Sequence, residues 1–250
     1  MTAPEPVLRV RDLKKSFGPK SIFDGLNVEV YPGETLVVLG GSGTGKSVLL
    51  KCIVGLMMPE GGSIEAWGQE IVGQDRAEWT ELRKRIGFVF QGAALFDSMS
   101  VFGNMSYPLH THGWRDQEKI AARVAECLEL VGMPGIEARM PEELSGGMRK
   151  RVGLARAIAI SPEVILYDEP TTGLDPSNVQ RINRLIRKLQ AELKVTSIVV
   201  THDMASAFEV GDRFALLWDR RILWCGTVDE ARTSTDPLVR GFIEGTLEEI

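Results

Sequence analysis

The stretch TLVVLGGSGTGKS, residues 35–47, runs a short apolar segment straight into a glycine-rich loop that ends in a lysine and a serine. Thr35 to Leu39 reads as a buried strand, and an apolar helical pattern carrying Leu49, Leu50, Ile53 and Leu56 follows the loop. In that setting Gly40, Gly41, Ser42, Gly43, Thr44, Gly45, Lys46 and Ser47 match the phosphate-binding P-loop pattern. The glycines permit a tight turn whose N–H groups point at phosphate oxygens, and the start of the helix adds partial positive charge. Lys46 is expected on the β- and γ-phosphates and Ser47 on Mg²⁺.

Outward from the loop, three more apolar runs are bounded by turn signals: Ile86 to Phe90, Val164 to Tyr167 and Ser197 to Val200. Runs of this length suit strands covered on both faces, as in a parallel sheet. Between them lie helical patterns, the clearest being Val179, Ile182, Leu185, Ile186, Leu189 and Leu193 on one face. Strands alternating with helices indicate an α/β fold. Residues 7–30 and 62–72 read as short strands with turns, hence a small antiparallel sheet beside the N-terminal half. Residues 92–160 show no clear strand. Ile120, Val124, Cys127, Leu128 and Val131 are helically spaced there, followed by Leu154, Ala155 and Ile158, so this stretch is expected to be a helical subdomain inserted in the α/β core.

Composition narrows the class. The 250 residues are 44% hydrophobic and 25% charged, ordinary for a globular protein able to bury a sizeable core. The net charge of -5, with Arg149-Lys150-Arg151 as the nearest approach to a basic stripe, argues against a nucleic-acid partner. Cys52, Cys127 and Cys225 fit neither a zinc spacing nor a disulfide framework and are expected to be buried core thiols. The segment from Met1 to Pro6 lacks a leader pattern, and no window approaches the ~18 apolar residues of a spanning helix. A cytoplasmic chain that meets a membrane only through a partner is the expectation.

The segment Val164-Ile165-Leu166-Tyr167-Asp168-Glu169 ends an apolar run in two carboxylates. Alone, such a pair is as readily a solvated turn. Beside a P-loop, Asp168 suits Mg²⁺ and Glu169 suits the attacking water. His202, after the run ending at Val200, is placed to touch the γ-phosphate. His110 and His112 form an H-x-H pair with no further ligand nearby in sequence.

Leu144-Ser145-Gly146-Gly147-Met148 lies between the P-loop and the acidic pair. It offers a hydroxyl and free N–H groups at a helix N-terminus, a second anion site far along the chain. The motif resembles the signature of ABC-type ATPases, and the resemblance runs from about residue 7 to 228. It implies a P-loop NTPase (RecA-like) α/β core with an N-terminal antiparallel β subdomain and an inserted α-helical signature subdomain, within an ATPase domain at 7–236. It also implies a dimer in which Ser145, Gly146 and Gly147 serve the ATP of a second copy. On the same footing Phe17 is the aromatic that stacks on adenine, with a plain core role as the alternative. Gln91 is the residue that monitors Mg²⁺ and the attacking water, and Gly173-Leu174-Asp175 is the loop crossing the dimer interface, Asp175 within it. ATP and Mg²⁺ are the implied cofactors.

Two further stretches refine the resemblance. Phe90-Gln91-Gly92-Ala93-Ala94-Leu95-Phe96-Asp97-Ser98 is similar to the ATPases of Mla and Mce-type lipid transporters, as are Met148, where most ABC proteins carry Gln, and Pro237-Leu238-Val239-Arg240-Gly241-Phe242. Ala93 and Gly103 depart from the Gly and the acid expected at those positions, near the surface that should meet the permease. The resemblance implies a peripheral subunit on the cytoplasmic face of the inner membrane. It powers phospholipid transport that maintains outer-membrane lipid asymmetry. The implied partners are an MlaE-like permease, an MlaB-like STAS-domain protein and an MlaD-like periplasmic MCE-domain protein. An importer of a small solute is the alternative within the class. A DNA-repair or translation ABC protein would need paired cassettes, a coiled coil or a zinc module, none of which is legible; a non-hydrolysing binder would not keep both Glu169 and His202. The tail at 237–250 is read as a short helix opened by Asp236 and Pro237, its apolar side formed by Leu238, Phe242 and Leu247. It either packs on its own domain or docks on another subunit; the resemblance leans to docking, so that removing 237–250 is expected to leave a folded ATP-binding chain whose complex is weakened.

Overall fold

The computed structural model describes residues 5–246. The apolar runs become strands buried at every position: β3 (Thr35–Leu39), β7 (Val164–Asp168) and β8 (Thr196–Thr201). With β6 (Ile86–Val89), β9 (Arg213–Trp218) and β10 (Arg221–Thr227) they make a six-stranded sheet in the order β10-β9-β3-β8-β7-β6. All its pairings are parallel except β9 with β10. Because side chains alternate across a strand, the sheet feeds two cores. Val37, Leu39, Ile165, Tyr167 and Val199 face one, and Leu36, Val38, Val164, Leu166 and Ile198 face the other.

Helix α1 (Lys46–Ile53) lies in the second core, beneath an antiparallel sheet of β1 (Leu8–Phe17), β2 (Lys20–Val30), β4 (Gly61–Ala66) and β5 (Gln69–Glu70), ordered β2-β1-β4-β5. Leu56 lies past the end of α1 and is exposed, so the apolar face of that helix stops at Ile53. Helix α2 (Arg76–Arg83) opens on a reciprocal capping box between Asp75 and Glu78, and sets Trp79 over Gly55.

The first core takes the helices α3 (Val101–Thr111), α4 (Gln117–Leu130) and α5 (Gly146–Ile158), with a 3₁₀ turn at Pro141–Glu143. The helical spacing of Ile120, Val124, Cys127 and Leu128 buries all four on α4. Helix α6 (Pro176–Leu193) begins at Asp175, whose carboxylate caps two N–H groups, and Pro176 suits its first turn. Burial of Ile182, Leu185, Ile186 and Leu189 contributes on the order of 1.5–3 kcal/mol each. Helices α7 (Met204–Val210), α8 (Val228–Thr233) and α9 (Pro237–Glu244) are the remaining helices among the described residues.

Helix α9 starts at Asp236 and Pro237, as its residues suggest, and packs on its own domain: Val239 and Gly241 are buried, and Leu238, Phe242 and Ile243 lie against the first core. Leu247, Glu248 and Glu249 fall outside the described residues, as does the start of the N-terminal segment, residues 1–4. Cys52 and Cys127 are buried as expected, but Cys225 is exposed. It sits on β10, which alternates between exposed and half-buried residues at the end of the sheet. Among the described residues, no helix is long and apolar enough to cross a membrane.

Candidate active site

The loop between β3 and α1 is tight for steric reasons that only glycine satisfies. Gly45 has φ +102°, and a Cβ there would stand 2.5 Å from a methyl of Ile22 and 2.9 Å from the ring of Phe23. At Gly40 a Cβ would lie 2.8 Å from both the Leu217 carbonyl and the Thr44 hydroxyl. The Thr44 hydroxyl donates to the Gly41 carbonyl at 3.0 Å. Helix α1 has no side-chain cap, so its first N–H groups are free for an anion.

Lys46 is buried beside this loop. Its Nζ donates to the carbonyls of Gly40 and Gly41, each at 2.8 Å, and lies 3.5 Å from Glu169 Oε1. Burial pushes the ammonium below its ordinary pKa, and the carboxylates of Glu169 and Asp168 oppose that shift. Ser47, on the first turn of α1, donates its hydroxyl to Asp168 Oδ1 at 2.6 Å. The end of β7 and the start of α1 are thus drawn together by two of the residues read from the sequence.

Glu169 is buried too, with φ at +47°, a conformation an L-residue rarely adopts. Besides Lys46, several neighbours hold it. Its N–H donates to Val200 O at 3.0 Å, tying it to β8. The Thr172 hydroxyl donates to Oε2 at 3.1 Å. His202 Nδ1 lies 3.0 Å from Oε1 and 2.9 Å from Oε2. The side chain of His202 is more than half exposed, so one face of this pair opens outward. Thr172 was not among the residues singled out from sequence; its only signal is a hydroxyl three residues after an acid, a pattern common to ordinary turns.

The other expected residues sit apart from this cluster. Gln91 is exposed, two residues beyond the Val89–Tyr167 pairing that sets β6 beside β7, and makes no hydrogen bond to Ser47, Asp168 or Glu169 among the described residues. Phe17 ends β1 and is 47% exposed, with the Lys15 ammonium 5.3 Å from its ring centroid; it is not a core residue. Ala93 and Ala94 both have positive φ, 63° and 47°, which explains why glycine would be at ease at the first. Ser145 caps α5 by accepting from Met148 N at 3.3 Å. Ser145 and Gly146 are exposed, while Gly147 is buried against Asn178, where a Cβ would come within 2.7 Å of Oδ1. Asn178 in turn donates to Asp175 Oδ2 at 2.6 Å. That bond and the N–H groups of α6 hold the Asp175 carboxyl down to about 2. Ser145 and Gly146 are thus at the surface at the capped start of α5, and Gly147 packs on α6 through Asn178.

The chain is similar to known proteins. A family model described as "ABC transporter" matches residues 23–172. The MlaF ATP-binding protein of an intermembrane phospholipid transport system in Haemophilus influenzae is 40% identical over 96% of this chain and 90% of its own length. The MlaF protein of Escherichia coli is 38% identical over 94% and 88%. The probable ribonucleotide transport ATP-binding protein mkl of Mycobacterium leprae is 41% identical over 95% of this chain and 69% of its own length. Among solved structures, an ATP-binding cassette captured as a dimer after hydrolysis, bound to ADP and Pi, superposes with a TM-score of 0.81 at 31% identity, covering 88% of this chain and 98% of that one.

Proposed function

The chain belongs to the ABC transporter family, and from that premise we propose that it is the ATP-hydrolysing subunit of a phospholipid transporter, acting as a dimer on the inner face of a membrane. The observation that carries the ATPase reading is the convergence of Lys46, Ser47, Asp168, Glu169 and His202 at the C-terminal ends of β3, β7 and β8. Ligands of open parallel sheets bind at that end.

In this reading the N–H groups of residues 40–47 and the start of α1 cradle the phosphates. Lys46 leaves the Gly40 and Gly41 carbonyls to neutralise the β- and γ-phosphates. Ser47 and Asp168, with Gln91 arriving from β6, would hold Mg²⁺; their hydroxyl, carboxylate and amide oxygens are the hard donors that ion prefers, and two of them already meet. When bound, the ion would stabilise charge on the β- and γ-phosphate oxygens. Glu169 orients the attacking water and takes up its proton, while His202 and Thr172 fix the orientation of its carboxylate, which also lies 3.5 Å from Lys46. Phe17, exposed at the end of β1, stacks on the adenine. Ser145, Gly146 and Gly147 complete the site of a second copy, and the Asp175 loop lines the contact between copies.

The names of the two MlaF relatives support phospholipid as the cargo, because this chain matches nearly their whole length. The mkl relative, named for ribonucleotide transport, supports a second reading, but the chain spans only about two thirds of it. The partners we assign are a second copy, an MlaE-like permease, an MlaB-like STAS-domain protein and an MlaD-like MCE-domain protein. The deciding experiment reconstitutes the chain with its permease in vesicles and follows labelled phospholipid and labelled ribonucleotide with and without ATP. ATP-driven lipid movement that Glu169→Gln abolishes is expected. ATP-driven ribonucleotide movement with static lipid would overturn the cargo and leave the ATPase standing.

A further inference from the structure

One side chain joins the signature helix to the turn that carries Glu169. Lys150 lies at the start of the second turn of α5, half-buried, and its Nζ donates to Thr172 O at 2.7 Å and to Glu169 O at 3.4 Å. Desolvation of an ammonium is costly, and here it is offset by main-chain carbonyls rather than by a direct carboxylate contact. Burial pushes the Lys150 ammonium below its ordinary pKa, with the Glu169 charge opposing.

The turn it grips carries a residue in the left-handed region. Glu169 is held at φ +47°, and such a conformation persists only where the surroundings over-determine it. Within the turn, Thr172 N donates to Glu169 O at 3.3 Å, a long bond, and the Thr172 hydroxyl fixes one carboxylate oxygen. Lys150 adds a clamp on the carbonyls at both ends of that unit. A shift of α5 is therefore felt at the Glu169 carboxylate. Ser145 lies five residues away on the same helix, about 7.5 Å along a rigid rod. Ser145 and Gly146 are exposed at the other end.

We propose that Lys150 is a positioning residue that couples the two nucleotide sites of the dimer. Contact of Ser145, Gly146 and Gly147 with the second copy's nucleotide passes along α5 and through Lys150 to the water-orienting carboxylate of the chain's own site. This rests on the shared-site dimer proposed above. Asn178, set against Gly147 and bonded to Asp175, joins α5 to the start of α6 independently of Lys150.

The test uses the full chain in complex with its permease and three forms: wild type, Lys150→Met, which keeps the length without the donors, and Lys150→Arg, which keeps donors. ATP turnover is measured against ATP concentration, together with melting of each form. Lys150→Met should lose about tenfold in kcat with KM changed by less than about twofold, because a transition-state contact rather than nucleotide binding is lost. Its Hill coefficient should fall from above one toward one, and Lys150→Arg should recover most of both. Wild-type kcat and Hill coefficient in Lys150→Met would overturn the proposal. So would a loss that merely follows lost folded protein and that Lys150→Arg does not repair, or a wild-type Hill coefficient of one. A wild-type complex that hydrolyses no ATP at all would instead remove the ATPase reading, and this inference with it.

Discussion

Glu169 carries a carboxylate whose geometry is set by its neighbours, so its amide variant should keep the shape and lose the chemistry. The Thr172 hydroxyl can still donate to an amide oxygen, and the backbone tie to Val200 is untouched. The amide takes no proton from water. Glu169→Gln should therefore bind ATP normally, accumulate a stable ATP-bound dimer, and turn over roughly 10²- to 10⁴-fold more slowly. Steady-state hydrolysis at the wild-type rate would assign the water to another residue. At the same scale, some of the site was legible and some was not. Residues 40–47 and the Asp168–Glu169 pair are contiguous, and their chemistry is written in side-chain type. Lys150 and Thr172 are not readable this way. One bonds to carbonyls that every residue owns, and the other donates from a turn whose composition is unremarkable.

The start of α1 is uncapped and that of α5 is capped by Ser145, and the two belong to different sites if the dimer is as proposed. A chain with Ser145→Arg and a chain with Lys46→Ala should each be inactive, yet mixed dimers should regain part of the hydrolysis, since one shared site stays intact. Replacing the Ser145 cap costs about 1 kcal/mol, small enough to leave the chain folded. If mixtures stay inactive, a crosslink between the P-loop of one chain and the signature of another separates strict two-site coupling from a signature that serves its own chain; failure to form it would sink the shared-site arrangement. Legibility at this level followed burial. Strands β3, β7 and β8 are covered on both faces and read as continuous apolar runs, and α6 shows a clean one-sided pattern. The β9–β10 hairpin escaped because β10 alternates between exposed and half-buried residues, and α2 because its signal is a capping box and two buried residues rather than an apolar stripe.

The chain closes on itself through α9, and that changes the expectation for the tail. Its apolar side lies on the first core, with Val239 and Gly241 buried and Leu238, Phe242 and Ile243 partly buried. Burying Val239 alone is worth on the order of 1.5–3 kcal/mol. Removing the chain from Pro237 onward should thus lower the melting temperature by several degrees, at about 2–4 °C per kcal/mol for a domain of this size. Assembly with partners should then track the amount of folded protein. An unchanged melting temperature with lost assembly would restore the docking role. The same helix walls a cleft of about 330 Å³ with Gly40, Gly41, His202, Met204 and Trp218 on its other sides. Of the five tryptophans, Trp218 lines this cleft beside the phosphate loop; Trp67 and Trp79 belong to the second core and its margin, Trp224 packs on the first core, and Trp114 is exposed. The molecule consequently carries its own optical gauge: indole emission from Trp218 should register the arrival and departure of nucleotide without any attached dye, and Trp218→Phe should silence it.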